Sequence, residues 1–253
     1  MSNLNGSMEV WQSNKLVEAA QAMTLNEKRL VIAAAALHDP RKPLPKDGTV
    51  KLHADDFSEV FGIQGRHVYQ ALKEATERLY NRRIRTIADS PRGKGKKIVT
   101  DVRWVWLAKY NEGEGTVILG FSPGVAEHLT LLRNEFTRYK LKQIGAIGSF
   151  YGLRLYELCA QYRKIGRRYI PLTELRQILD LGEKYTAIKD LRRRVLDPAI
   201  GEINKHTDLR ASISPRKKGR TIIGFDFSIV QDDQIPLDLQ EQEQEQEQDD
   251  MLP

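Results

Sequence analysis

Three consecutive arginines, Arg192, Arg193 and Arg194, are followed by a second basic cluster, Arg216, Lys217, Lys218 and Arg220. Guanidinium groups are planar forks that match phosphates and the guanine edge, and lysines are point charges suited to phosphate. The chemistry these residues offer is binding of a polyanion. Nothing in the chain points to bond-making. The five histidines (His38, His53, His67, His128, His206) include no pair two or four residues apart, so the paired-histidine metal site of a strand-nicking enzyme is not expected. The Gly-x-Gly at 93–95 lacks the spacing of a phosphate-binding loop and opens no helix. Asp55 and Asp56 read as helix caps, and Cys159, in an apolar helical pattern, as a core residue. The expectation is a protein that is not an enzyme and needs no metal or cofactor.

An arginine run alone is most often a solvated helix face, so the elements that position it decide its meaning. Ile188, Leu191 and Val195 recur at i, i+3 and i+7 and predict one buried helix face. Thr186, Lys189 and Arg193 then lie opposite that face, with Arg192 and Arg194 on its flanks. Pro198 has no N–H to bond back to Arg194, so the helix should kink or restart there, with Asp197 as the new cap. The segment after it reads as a hairpin whose tip carries Lys217, Lys218 and Arg220. Between Tyr185 and Gly224 there are ten Lys/Arg and four Asp/Glu. A helix anchored on one face, with arginine on the other and a basic hairpin beside it, is the layout of a winged helix in a DNA major groove.

Composition agrees. The 253 residues are 40% hydrophobic and 29% charged, as in a soluble globular protein. No apolar run is long enough to span a membrane, the first residues do not resemble a secretory signal, and the single cysteine allows no internal disulfide; a reducing cytoplasm is the expected setting. Net charge is +6, but Asp232–Asp250 holds nine acidic residues and no basic ones, leaving 40 basic against 25 acidic, or +15, on residues 1–231. Such a body suits DNA. An acidic lipid surface is the competing polyanion, but no basic amphipathic helix with exposed aromatics supports it. In the Glu/Gln-rich tail, like charges four residues apart oppose a helix, so 232–253 is expected to be disordered.

Along the chain, 14–23 looks helical, and Thr24 with Glu27 forms a capping box for a helix that ends before Pro40. A strand at 49–53 precedes a helix capped by Asp55 and ended by Gly62. Val68, Leu72, Ala75 and Leu79 then form a buried stripe opposite Arg66, Gln70, Lys73 and Glu77. Strands at 82–88 and 98–108 flank a basic tip that contains Arg92, Lys94, Lys96 and Lys97. Val102, Trp104 and Trp106 alternate with residues that are also largely apolar, as on a central or interface strand. A strand at 116–121 leads to a helix through Leu132; 134–149 reads as a junction; a helix around Tyr151–Tyr162, a strand to Pro171 and a helix capped by Thr173 follow.

The pattern Phe57-x-x-Val60-Phe61-x-Ile63 recurs as Leu175-x-x-Ile178-Leu179-x-Leu181. Each copy follows a short strand and precedes a helix and a basic-tipped hairpin. The fold class expected is α+β: two tandem winged-helix domains related by duplication. The division is 1–12 flexible, 13–140 the first winged-helix domain, 141–231 the second and main sequence reader, and 232–253 the tail.

The stretches NEFTRYKL (134–141), LRLYELCAQYRK (153–164) and LRRRVLDPAIGEIN…KKGR…FDF (191–227) resemble the replication initiator proteins of iteron-containing theta plasmids, of which the F-plasmid initiator is a relative. The resemblance covers about residues 10–230. It implies two winged-helix domains on opposite ends of one iteron, a monomer that initiates replication, and a homodimer that represses the initiator's own promoter. It carries the recognition arginines onto Arg192, Arg193 and Arg194, the wing onto Lys217, Lys218 and Arg220, and the dimer interface onto the strand with Val102, Trp104 and Trp106. Where some relatives have a basic residue in the first helix-turn this chain has Asn26, so Arg66, Lys73 and the 92–97 tip are weaker assignments. Host partners implied are the replicative helicase, the chromosomal initiator ATPase and Hsp70 chaperones. A plain dimeric repressor and a rolling-circle nicking initiator are the alternatives; the first takes its two half-sites from two subunits, the second needs the histidine pair.

Overall fold

The computed structural model describes residues 4–93 and 95–231. In chain order the elements are β1 (Glu9–Ser13), α1 (Asn14–Glu18), β2 (Ala20–Gln21), α2 (Leu25–Ala36), β3 (Thr49–His53), α3 (Ala54–Phe61), α4 (Arg66–Leu79), β4 (Arg83–Asp89), β5 (Lys97–Arg103), β6 (Val105–Asn111), β7 (Thr116–Phe121) and α5 (Pro123–Ala126). They continue as β8 (Phe136–Lys140), α6 (Phe150–Gln161), β9 (Arg167–Pro171), α7 (Leu172–Ile178), α8 (Ile188–Leu191), a π turn (Arg192–Leu196), α9 (Asp197–His206), β10 (Leu209–Lys218) and β11 (Thr221–Gln231). The expected disorder of 232–253 lies outside the described residues.

Two units share one order of parts. In the second, the sheet order is β10-β11-β9, with β9 antiparallel to β11, α7 packed on β9 and β11, and α9 packed on β10. In the first, the matching sheet is β6-β7-β3, and α3 and α4 follow β3 as α7 and α8 follow β9. Phe57, Phe61, Leu175, Ile178, Leu179 and Leu181 of the repeated pattern are all buried. The structure is thus two winged-helix units. One expectation about the duplication changes: the hairpin equivalent to the second unit's wing is β6–β7, whose turn holds Glu112 and Glu114 and is acidic. The basic-tipped β4–β5 hairpin belongs to a separate sheet, ordered β2-β4-β5. The reason is a break at Trp104. Instead of one strand over 98–108, the chain turns at this fully buried residue and changes sheets.

Other local expectations are also revised. The helix at Asn14 stops at Glu18, because Ala20–Gln21 pairs with β4. Asp55 sits in the first turn of α3 and Thr173 in that of α7; the caps are His53 and Pro171. The helix after Ser122 ends at Ala126, and Leu131 takes a left-handed φ of 53°. The supposed junction at 134–149 contains β8, paired along β1 from Glu9–Lys140 to Ser13–Phe136, with Trp11 stacked on Phe136 at 4.4 Å. The capping box at Thr24 and Glu27 forms as expected, and Gly62 ends α3 at φ 64°.

The units are joined through α6, which packs on α1, α2 and β8 on one side and α9 on the other. Gly152 allows the α6–α9 approach, since a side chain there would collide with Glu202, whose carboxylate accepts from Ser149 at 2.7 Å. At the other side Arg154, Glu157 and Lys28 form a buried ion triad. Glu18 in α1 accepts from Gln161 at 2.9 Å and Arg168 of β9 at 3.0 Å, which ties the first unit to the second.

Candidate nucleic-acid interface

The residues from Ile188 to His206 form one continuous helical run, not two helices. Leu191, Val195, Ala199 and Ile203 are each buried to within 1% and are spaced by four. In an α-helix each four-residue step drifts the stripe by about 40°. A wide turn removes that drift, and the Asp197 N–H bonds back five residues to the Arg192 carbonyl. The same turn spares the Arg194 carbonyl a bond that Pro198 cannot make. Asp197 is therefore right-handed helical, at φ −65° and ψ −43°, and is not the cap of a restarted helix.

The polar side of this helix carries the arginines as the periodicity required. Arg193 and Arg194 are 62% and 60% exposed and Arg192 is 40% exposed. Arg193 Nη2 donates to Asp190 Oδ1 at 3.1 Å, and Arg194 Nε lies 3.9 Å from the same oxygen. Arg192 donates to Asp197 Oδ1 at 3.2 and 3.3 Å. Lys189 is exposed and makes no ion pair among the described residues; Thr186 is exposed but precedes the helix, whose cap is Ala187.

The wing follows from β10 and β11, which run antiparallel from Leu209–Gln231 to Lys218–Thr221 around Gly219 at φ 62°. A register shift between Arg216 and Lys217 re-aims the tip. Lys217, Lys218 and Arg220 are exposed there. Arg216 is different: it makes a two-pronged pair with Asp226, and its guanidinium stacks 3.9 Å from the Tyr169 ring centre. Hydrogen bonding to Asp226 raises its pKa further above the ordinary arginine value. Arg216 thus braces the wing's base.

In the first unit, Arg66 and Lys73 lie on the outer face of α4 and line a shallow groove of about 570 Å³ with His67, Tyr69, Gln70, Tyr110 and Glu112. Lys73 reaches Glu112 at 3.6 Å, so the acidic turn of β6–β7 partly neutralises this helix. Arg92, Lys96 and Lys97 are exposed on the β4–β5 hairpin, in the other sheet, and Lys97 pairs with Asp89 at 2.5 Å. Lys94 lies outside the described residues. The structure brings Lys189 and the arginine triplet together on one helical run, with Thr186 just before it, and the wing cluster follows on the hairpin.

Of the expected dimer contacts, Trp104 is corrected: it is 0% exposed, inside the protomer, with Lys28 Nζ 5.9 Å from its ring. Val102 is partly buried, facing Gly124. Trp106 is 51% exposed and lies over Gly120. The alternation that suggested a two-faced strand spans two sheets, which is why it misled.

Sequence reasoning passed over Asp190, Asp226 and Tyr169. The i, i+3 spacing of Asp190 and Arg193 was a usable signal. The Asp226–Arg216–Tyr169 brace was not, because its members come from three strands. Among the described residues no group of three His, Cys, Asp or Glu could hold a metal ion, and no helix is long and apolar enough to cross a membrane.

Comparison with known proteins agrees with this geometry. Residues 9–160 match the family described as "Initiator Replication protein, WH1", and residues 171–229 match "Initiator Rep protein, WH2". A "Replication initiation protein" of Escherichia coli is 25% identical over 90% of this chain and 71% of its own length. The "PI protein" of Escherichia coli is 25% identical over 92% and 86%. The crystal structure of Pi initiator protein in complex with iteron DNA superposes with a TM-score of 0.75 at 25% identity, covering 90% of this chain and 99% of that one.

Proposed function

The chain belongs to the initiator replication protein family, and on that premise we propose that it starts plasmid replication by binding iteron repeats at an origin. The similar Pi initiator was crystallised on iteron DNA, and its fold matches across both units. The observation that carries the reading is that one chain holds two winged-helix units on a shared, internally ion-paired helix, α6. Two readers fixed to one another can engage two successive turns of a single DNA site without a second subunit. The helix at 188–206 and the wing at 216–220 form the main reader; α4, with Arg66 and Lys73, forms the second. Phosphate contacts supply affinity, the arginine face supplies sequence choice, and origin opening draws on binding energy and DNA deformation, without a catalytic step.

The monomer is the initiating form, and a dimer represses the initiator's own promoter. The surfaces available to that dimer are Trp106 on β6 and, in the other sheet, the edge strand β5, where Ile98 and Val99 are exposed. The helicase, the chromosomal initiator ATPase and Hsp70 chaperones are the host partners this role implies, in the bacterial cytoplasm. The same exposed edge favours a second reading, a repressor that works only as a dimer.

Footprinting on the plasmid's non-coding DNA tests this. Direct repeats of about 20 base pairs, two helical turns, protected with one protomer each, are the expected result. Protection of a single inverted repeat alone would favour the repressor, and strand-specific cleavage would make the protein an enzyme.

A further inference from the structure

The basic groups of the main reader divide into two kinds. Four arginines are paired with carboxylates: Arg193 and, more loosely, Arg194 with Asp190, Arg192 with Asp197 and Arg216 with Asp226. Lys189, Lys217, Lys218 and Arg220 are exposed and carry no ion pair among the described residues. Asp190 stands out, because one of its oxygens serves two arginines, Arg193 at 3.1 Å and Arg194 at 3.9 Å, on the face turned away from the core.

An acidic residue there is unfavourable for simple attraction to DNA. Phosphates repel it, and it neutralises charge that would otherwise bind them. It also limits where the Arg193 fork can go. A guanidinium tethered at its own helix loses fewer conformations when it meets a base edge, and it is less able to swing onto a phosphate of unrelated sequence. Asp190 lies three residues before Arg193 and four before Arg194, the spacing at which helical side chains meet.

We propose that Asp190 is a specificity-determining positioning residue: its carboxylate holds Arg193, and more loosely Arg194, in the base-reading arrangement and withholds both from non-specific phosphate contact. The inference rests on the reading of 188–206 as the DNA-contacting helix. The simpler alternative, an acidic residue favourable in a first helical turn, assigns Asp190 to stability alone.

The experiment uses the full chain and the Asp190→Asn, Asp190→Ala, Arg193→Ala and Asp190→Asn/Arg193→Ala variants. Probes are a duplex containing the repeat protected in the footprint and a scrambled duplex of equal length, each titrated over a range of salt. Asp190→Asn keeps shape and removes charge. It is expected to tighten binding to scrambled DNA about fivefold at low salt, steepen its log–log salt slope by about one, and lower discrimination about tenfold. In the Arg193→Ala background the added effect of Asp190→Asn on discrimination should largely vanish, since the effect passes through Arg193. Asp190→Ala repeats the loss of discrimination. Parallel changes on both duplexes with an unaltered salt slope, or a lower unfolding midpoint with unchanged discrimination, overturn the proposal. If Arg193→Ala lowers discrimination and Asp190→Asn does not, Asp190 alone is misassigned. If Arg193→Ala changes neither duplex, the helix itself is not the reader and the functional reading fails with it.

Discussion

Lys28 Nζ lies 2.9 Å from Glu157 Oε1, and neither side chain is exposed to solvent. Arg154 donates to the other oxygen of Glu157 at 2.6 Å, and Gln12 and Tyr139 complete the cluster at 2.8 and 3.0 Å. One carboxylate therefore serves two buried cations. Burial pushes the Glu157 carboxyl up, but Lys28 and Arg154 outweigh it and hold the pKa below its ordinary value. Lys28 meets one anion and one cation, and burial lowers it from 10.5 to about 8. The opposite balance at the two partners follows from that two-to-one geometry.

Removing the carboxylate leaves two uncompensated buried cations, so Glu157→Ala should cost about 3–5 kcal/mol in chemical unfolding. Lys28 gives a pH signature. Between pH 8 and 10 the unfolded chain holds a proton that the folded Lys28 has released, so this residue's contribution to stability rises with pH across that window. Cys159, which burial pushes up to about 12, works in the opposite direction above pH 9. The comparison is therefore with Lys28→Met: wild type should gain stability relative to that variant from pH 8 to 10. A constant difference would mean that Lys28 keeps its proton throughout.

Trp104 and Trp106 are two residues apart and should behave as different kinds of residue. Trp104→Ala empties a core site and should destabilise the fold by about 3–5 kcal/mol. Trp106→Ser should leave the unfolding midpoint nearly unchanged and weaken self-association in sedimentation. Equal destabilisation by both would show that Trp106 supports the protomer and is not free for a partner.

The π turn has two potential causes, Pro198 and the four-spaced stripe from Leu191 to Ile203. Because the whole stripe is buried, packing should hold the turn without the proline. Pro198→Ala is expected to keep the same preferred bases in a binding-site selection. A new preferred sequence would mean that the proline alone sets the arginine register.

Arg193→Ala should cost about 1–3 kcal/mol on the repeat and relax selection at one base position. Lys218→Ala, at the wing tip, should weaken all sequences alike and reduce the salt slope by about one. Exchange of these two outcomes would put the wing on the bases and the helix on the phosphates.

Local pattern determined much of this protein. The stripe Val68–Leu72–Ala75–Leu79, the Thr24–Glu27 box, the β3 and β7 limits and the arginine face of 188–206 depend on neighbours within a few residues, where side-chain period and capping chemistry act directly. So did the duplication, through its repeated apolar pattern. Tertiary structure decided what depends on partners far along the chain. β8 is a strand because β1 lies beside it. Trp104 is core because the chain changes sheets there, and the first unit's wing is β6–β7 because β3 pairs with β7 and not with β4. The brace of Arg216 by Asp226 and Tyr169, from three strands, belongs to the same class. A period-two alternation or a basic run is identical whether its faces meet water, a second sheet or a carboxylate; only the assembled fold supplies the neighbour that makes the difference.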